Sequence, residues 1–198
     1  MQARFGPDVD VANAVYVDET VRLFGKVRAG VGTSFWPYVV GRAEVYEIVI
    51  GDYTNVQDHV MMHVGYGTPT IVGAHCSITH HVTLHGCTVG DNCLIGINAT
   101  LMDGCVIGEN SIVAGHTIVS ERVVIPPNSI VAGVPGKVLK TRTNYVENKL
   151  NAWMYHRNAL AYAMGEYRVW SDPEVLRGYA AERARLTAES AEAVAEKA

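Results

Sequence analysis

The chain has 198 residues, 48% of them hydrophobic and 18% charged, with a formal net charge of -4 and a pI near 6.0. These values suit one well-packed unit and exclude both a disordered chain and a basic nucleic-acid binder. No run approaches the ~20 apolar residues that span a bilayer, and Met1–Asp10 lacks the apolar core of a signal peptide, so no membrane contact and a cytoplasmic location are expected.

From the start of the chain, aliphatic or aromatic residues recur every six positions at Val11, Val17, Leu23, Ala29 and Phe35, and more weakly at Gly41. The register resumes at Ile50, Val56 and Met62, again at Val72, Ile78 and Leu84, and then runs from Val89 through Ile95, Leu101, Ile107, Val113, Val119 and Ile125 to Val131. Four residues after most of these sits a small or β-branched residue, among them Cys93, Ala99, Cys105, Ser111 and Thr117. A period of six fits neither an amphipathic helix nor a hairpin sheet. It fits a solenoid of short parallel strands, with the aliphatic residue inside and the small one at a tight corner. About twenty repeats, three to a coil, give roughly seven coils stacked ~4.8 Å apart. The four cysteines, Cys76, Cys87, Cys93 and Cys105, lack CxxC pairs. Three of them occupy the corner position, so they read as packing residues rather than as a disulfide or zinc framework.

The repeat ends near Val134-Pro135-Gly136, and the solenoid is assigned to residues 1–142 with a helical extension over 143–198. A helix is predicted from about Asn144 to Met164, with Val146, Leu150, Trp153, Met154, Arg157, Leu160 and Met164 as its packing stripe. Ser171-Asp172-Pro173-Glu174 reads as a cap and restart for a second, weakly amphipathic helix over roughly 174–197.

Two histidines fall on the repeat. His63 and His85 each follow an interior position, Met62 and Leu84, so both point outward. They are 22 residues apart, and the step from Met62 to Val72 holds four extra residues, a loop around Gly65-Tyr66-Gly67-Thr68-Pro69. The remaining 18 residues make one coil, which stacks the two imidazoles ~4.8 Å apart, close enough to share a metal. Arg42 lies one coil below His63. His80 belongs to the adjacent face, with Asp58 one coil below it, and one chain does not easily bring it to the other two histidines. A neighbouring subunit does, which predicts a homotrimer with three intersubunit sites. His59, His75, His116 and His156 are expected to be structural or exposed, and His81 to line the site or the surface.

These residues resemble the γ-class carbonic anhydrases, over about residues 8–142. The family's pattern of Arg, aliphatic-Gly, Asn-x-Gln-Asp and His appears as Arg42, Ile50-Gly51, Asn55-Val56-Gln57-Asp58 and His63. Its two-histidine segment appears as Ile78-Thr79-His80-His81-Val82-Thr83-Leu84-His85-Gly86-Cys87, and Phe35-Trp36-Pro37 is similar to its aromatic turn. The resemblance implies a mainly β fold, the left-handed parallel β-helix of hexapeptide repeats, here with C-terminal α-helices. It implies reversible hydration of carbon dioxide to bicarbonate, with His63, His80 and His85 as ligands of zinc (Zn2+), or of Fe2+ or Co2+. It further implies Gln57 as the residue orienting the reacting water or bicarbonate, and Arg42 and Asp58 as intersubunit or bicarbonate-binding groups.

The chain departs from the family at Ala43 (usually Gly), Glu44 (usually Asp) and His81 (usually Gly). It also lacks the acidic loop carrying the proton-shuttling glutamate, which leaves Tyr66, His81 or buffer as proton relay and makes weak activity an expectation. Two other functions compete. Many hexapeptide-repeat proteins are coenzyme A-dependent acyltransferases, and a thioesterase or acyltransferase would use a histidine as base without needing three metal-spaced ones. The missing glutamate and the long helical extension also suit a non-catalytic metal-binding assembly module.

Overall fold

The computed structural model describes residues 3–195. The chain forms a left-handed parallel β-helix of about seven turns followed by two helices. Its coils are triangular, and the strands stack in parallel on three faces. The first face carries the leading halves of Arg22–Ala29 and Val40–Ile50, then Met61–His63, Thr83–His85, Thr100–Leu101 and Ile118–Val119. The second carries Val9–Asp10, the trailing halves of the same two long strands, then Thr70–Val72, Thr88–Val89, Val106–Ile107 and Val124–Ile125. The third runs from Tyr16–Val17 through Ser34–Phe35, Asn55–Val56, Ser77–Ile78, Leu94–Ile95 and Ile112–Val113 to Ser129–Ala132.

The six-residue period is the cause of this geometry. Inward residues stack into three columns, of which Leu23, Met62, Leu84, Leu101 and Val119 form one and Phe35, Val56, Ile78, Ile95, Val113 and Val131 another, all buried. Each such aliphatic side chain contributes roughly 1.5–3 kcal/mol on burial. Gly41 holds its interior place without a side chain, because a Cβ there would come within 2.8 Å of Leu23 Cδ2. Three residues past the interior position the backbone turns through the left-handed region. Asn92, Asn98, Asn110 and Asn128 sit there, as do His59, His75, His81 and His116. Asn tolerates that conformation well. The bulkier rings gain from stacking instead: Tyr38 lies on His59 and His59 on His81, with centroids 4.9 and 4.6 Å apart. These positions account for His59, His75 and His116 as turn residues.

All four cysteines are buried free thiols. Cys76 and Cys93 continue a corner column with Thr54 above the same kind of turn. The Thr54 hydroxyl donates to Gly73 O at 2.7 Å, and the two thiols donate to Gly90 O and Gly108 O at 3.2 Å. Burial pushes the Cys76 thiol well above its ordinary pKa. It is therefore a packing group and not a nucleophile.

Two features depart from the simple repeat. Residues 44–47 bulge outward within the Val40–Ile50 strand, where the ladder shifts register against Gly25 and Val27. After the last coil, Lys137–Thr141 turns back and pairs antiparallel with Ser129–Ala132, so a reversed strand follows the last repeat.

Helix α1, Tyr145–Ala163, matches the predicted span and lies on the third face. The predicted stripe is only partly the buried one. Leu150 and Met154 are buried, but Arg157 and Met164 are exposed, while Asn148, Ala152, Asn158 and Ala159 are buried instead. The helix is gripped on two sides. Toward the solenoid, Asn148 Nδ2 donates to Asn92 O and Ser111 O, Ser77 Oγ donates to Asn151 Oδ1, and Tyr155 and Tyr162 pack edge-on to Trp36. Toward the second helix, Trp153 meets Tyr179. That helix, α2, spans Pro173–Ala195, and residues 196 and 197 of its expected span lie outside the described residues. It starts as predicted: Asp172 Oδ1 accepts from the Glu174 and Val175 N–H groups at 2.7 and 3.3 Å, with Pro173 next in chain. None of the described helices is long and apolar enough to cross a membrane.

His75 links this packing to pH. Burial, and then the Lys149 charge, hold it below its ordinary value of 6.5. The unfolded chain therefore binds a proton there before the folded protein does. His75 contributes stability that is full above the unfolded value and declines as pH falls through it. Thermal unfolding between pH 7.5 and 5.5 is expected to show a smaller acid-side loss in His75→Asn than in the parent, Asn being at ease in that turn.

Candidate metal centre

The first face presents the histidine column. In the strand ladder Arg42 pairs with His63, and His63 pairs with His85. The two imidazole centroids are 5.0 Å apart, close to the coil spacing, but their planes are tilted by 46°. The tilt brings His63 Nδ1 and His85 Nε2 within 3.1 Å of each other. The outer nitrogens meet carboxylates: His63 Nε2 is 3.1 Å from Glu44 Oε2, and His85 Nδ1 is 2.9 Å from Asp103 Oδ1.

A carboxylate only accepts, so each neutral ring must place its single N–H toward its acidic partner. Glu44 is ionised for this purpose. Slight burial raises its carboxyl, but its own backbone N–H, Arg42 and His63 together hold it below the usual carboxylate range. The nitrogens that face each other, His63 Nδ1 and His85 Nε2, are then both bare lone pairs. Two lone pairs at that distance repel unless a cation lies between them. Two imidazole nitrogens bound to one tetrahedral cation at ~2.0–2.1 Å stand about 3.3 Å apart, so the observed pair fits a shared metal.

His80 lies at the corner between the third and first faces, and Asp58, one coil below, meets its Nδ1 at 2.9 Å. By the same reasoning its N–H belongs on Nδ1, which leaves Nε2 as the accepting nitrogen. Helix α1 reaches this corner, where burial and then the Asp58 charge push Tyr155 up to about 12. Its phenol stays protonated at neutral pH. Gln57 is buried, its Nε2 donating to Asn55 Oδ1 at 2.8 Å, while its Oε1 has no partner among the described residues. Among those residues, no three His, Cys, Asp or Glu side chains of a single chain converge on one metal position. The structure thus brings His63 together with His85, and His80 together with Asp58, but holds the two pairs apart. Arg42 pairs with Glu44 on the bulge, and Tyr66 stands fully exposed at the tip of the 65–68 loop.

Sequence reasoning missed Glu44 and Asp103 as partners of the histidines. Glu44 sits on the outward bulge, which the repeat does not register. Asp103 lies one residue past the ladder position opposite His85, because the repeat after Leu84 is one residue short, so counting by coils points to Met102 instead.

The model for the bacterial transferase hexapeptide (six repeats) matches residues 86–121. A probable carbonic anhydrase of Methanocaldococcus jannaschii is 46% identical over 133 residues, covering 67% of this chain and 84% of that protein. The mitochondrial gamma carbonic anhydrase 2 of Arabidopsis thaliana is 37% identical over 95 residues, covering 45% of this chain but only 34% of its own length. Among solved structures, a putative acetyltransferase of Bacillus cereus superposes with a TM-score of 0.69 at 29% identity, over 78% of this chain and 88% of that one. The fold and the repeat match define a hexapeptide-repeat protein. The chain belongs to the γ-class carbonic anhydrase family.

Proposed function

We propose that the protein is a homotrimeric, metal-dependent lyase that hydrates carbon dioxide reversibly to bicarbonate and a proton. The observation that carries this reading is the histidine–carboxylate geometry: His63, His80 and His85 each have one ring nitrogen within 3.1 Å of a carboxylate oxygen, and the other nitrogens of His63 and His85 face each other at 3.1 Å. His63 and His85 of one subunit and His80 of the next would hold zinc, or iron or cobalt, all of which imidazole suits. Such a cation, when bound, supplies Lewis acidity that brings the ionisation of a water into the neutral pH range.

The chain's own groups do the rest. Gln57 Oε1, buried and unpartnered, accepts a hydrogen bond and so orients water or bicarbonate. Arg42, in register with His63, offers the cationic charge that draws bicarbonate to the face. Asp58 fixes the His80 ring. The proton leaves past Glu44, which is ionised and half exposed beside His63, with Tyr66 on its exposed loop as a second carrier. The trimer is supported by the first face itself. Helix α1 covers the third face and leaves the first open, where the outward column runs Val40, Met61, Thr83, Thr100 and Ile118, its three aliphatic members each about 36–37% exposed. Apolar residues stacked on an outer face suit a subunit contact.

Stopped-flow hydration assays on zinc-loaded and anaerobic iron-loaded protein test the reading. Activity in His80→Ala and His85→Ala is expected to fall by more than the roughly 10–100-fold that loss of an outer partner costs. Full activity in both variants would overturn it. Coenzyme A-dependent acyl transfer is the second reading, favoured by the likeness to the B. cereus structure, and heat on titration with acetyl-coenzyme A would support it instead.

A further inference from the structure

The carboxylate behind His85 is built into the fold more deliberately than the other two. Asp103 belongs to the next coil, yet its ladder position is taken by Met102, because the repeat that follows Leu84 is one residue short and pairs Leu84 with Leu101. That offset lets Asp103 Oδ1 reach back 2.9 Å to His85 Nδ1. The same oxygen accepts from the Thr68 hydroxyl at 3.4 Å, at the foot of the 65–68 loop. Two glycines clear the space for it. A Cβ on Gly65 would stand 1.8 Å from Asp103 Oδ1, and one on Gly86 would stand 2.5 Å from it. Gly86 also turns through φ +57, where side chains are strained. The loop is closed on itself by the Gly65–Thr68 backbone pair, with Gly65 N donating to Thr68 O at 2.9 Å.

We infer that Asp103 is a positioning residue for the metal site: it fixes the His85 tautomer and joins that ligand to the loop that carries Tyr66. A carboxylate on Nδ1 forces the N–H to that side, holds the ring plane and makes Nε2 a better donor. Because one oxygen serves both His85 and Thr68, a loop displaced at Thr68 shifts the carboxylate and with it the ring. Glu44 does the corresponding work for His63 from an exposed bulge, without a glycine cradle. The inference rests on the metal reading given above.

The test uses the full-length protein and zinc. In the metal-free parent, nitrogen-resolved NMR is expected to show His85 in the Nδ1–H form, and in Asp103→Ala a shift toward the Nε2–H form that free imidazoles prefer. Zinc affinity, read by chelator competition, is expected to fall about 10–100-fold in Asp103→Ala. Asp103→Asn is expected to lose less, since its carbonyl still accepts from Nδ1, and Gly65→Ala to lose affinity by pushing the carboxylate aside. An Nε2–H form in the parent would overturn the inference, as would an Asp103→Ala protein with parental affinity. His85→Ala separates the two ideas. If it binds zinc like the parent, the metal reading fails. If it loses zinc while Asp103→Ala does not, only the role of Asp103 fails. Should Asp103→Ala not fold, the parent spectrum and the Asp103→Asn affinity still decide.

Discussion

Subunits carrying His80→Ala and subunits carrying His85→Ala, each inactive alone, are expected to regain about one quarter of parental hydration activity when assembled together in equal amounts. His63 and His85 share a ladder on the first face, and His80 stands at the corner held by Asp58, so in the proposed trimer one chain would supply the two halves of a site to two different neighbours. A homotrimer of either variant has no complete site. In a mixed trimer a site is complete where a His80→Ala subunit offers its intact His63/His85 pair to a neighbour whose His80 is intact. Random assembly gives that order at about one interface in four. Mixing His63→Ala with His85→Ala is the control, because both lesions fall on the same half and no arrangement repairs it. Recovery in the control, or none in the test mixture, would place all three ligands otherwise. Metal content of the mixed trimers should rise in the same proportion.

Much of this arrangement could be read from the sequence because a solenoid has nearest-neighbour geometry. Once the register is fixed at Met62 and Leu84, the neighbour of each residue follows by counting, so Arg42, His63 and His85 fell into one column and Asp58 under His80. Counting fails where the chain leaves the ladder. The 44–47 bulge carries Glu44 to His63 by a route that no period encodes. The shortened repeat after Leu84 slips Asp103 off its column, so that it meets His85 diagonally. The returning strand at Lys137–Thr141 has no six-residue signal, since it runs antiparallel. The buried face of α1 departs from its apolar stripe for a different reason. An apolar pattern finds a face buried in hydrocarbon, whereas Asn148 and Asn151 bind the polar backbone and side-chain groups of the solenoid corners, and Leu150 and Met154 carry the apolar burial.

The largest stability effect is expected at Leu84, whose replacement by Ala should cost about 2–5 kcal/mol. Leu84 is wholly buried in the first interior column, between Met62 one coil below and Leu101 one coil above. The space it leaves cannot close by sliding a helix or a loop, because the coils are pinned at the strand spacing by hydrogen bonds such as Met61 N to Val82 O and Thr83 N to Ala99 O. The cavity therefore persists, and the upper part of that range applies. Its neighbour in sequence is His85, so the same change loosens the strand that carries a proposed ligand. Zinc should restore part of the loss, by an amount that grows with its free concentration over the dissociation constant. Denaturant unfolding of Leu84→Ala with and without zinc measures both effects. Ile130→Ala, on the outward side of the last coil and half-buried, should lose far less and gain the same from zinc as the parent. Equal losses at the two positions would mean that the interior column does not carry the stability assigned to it.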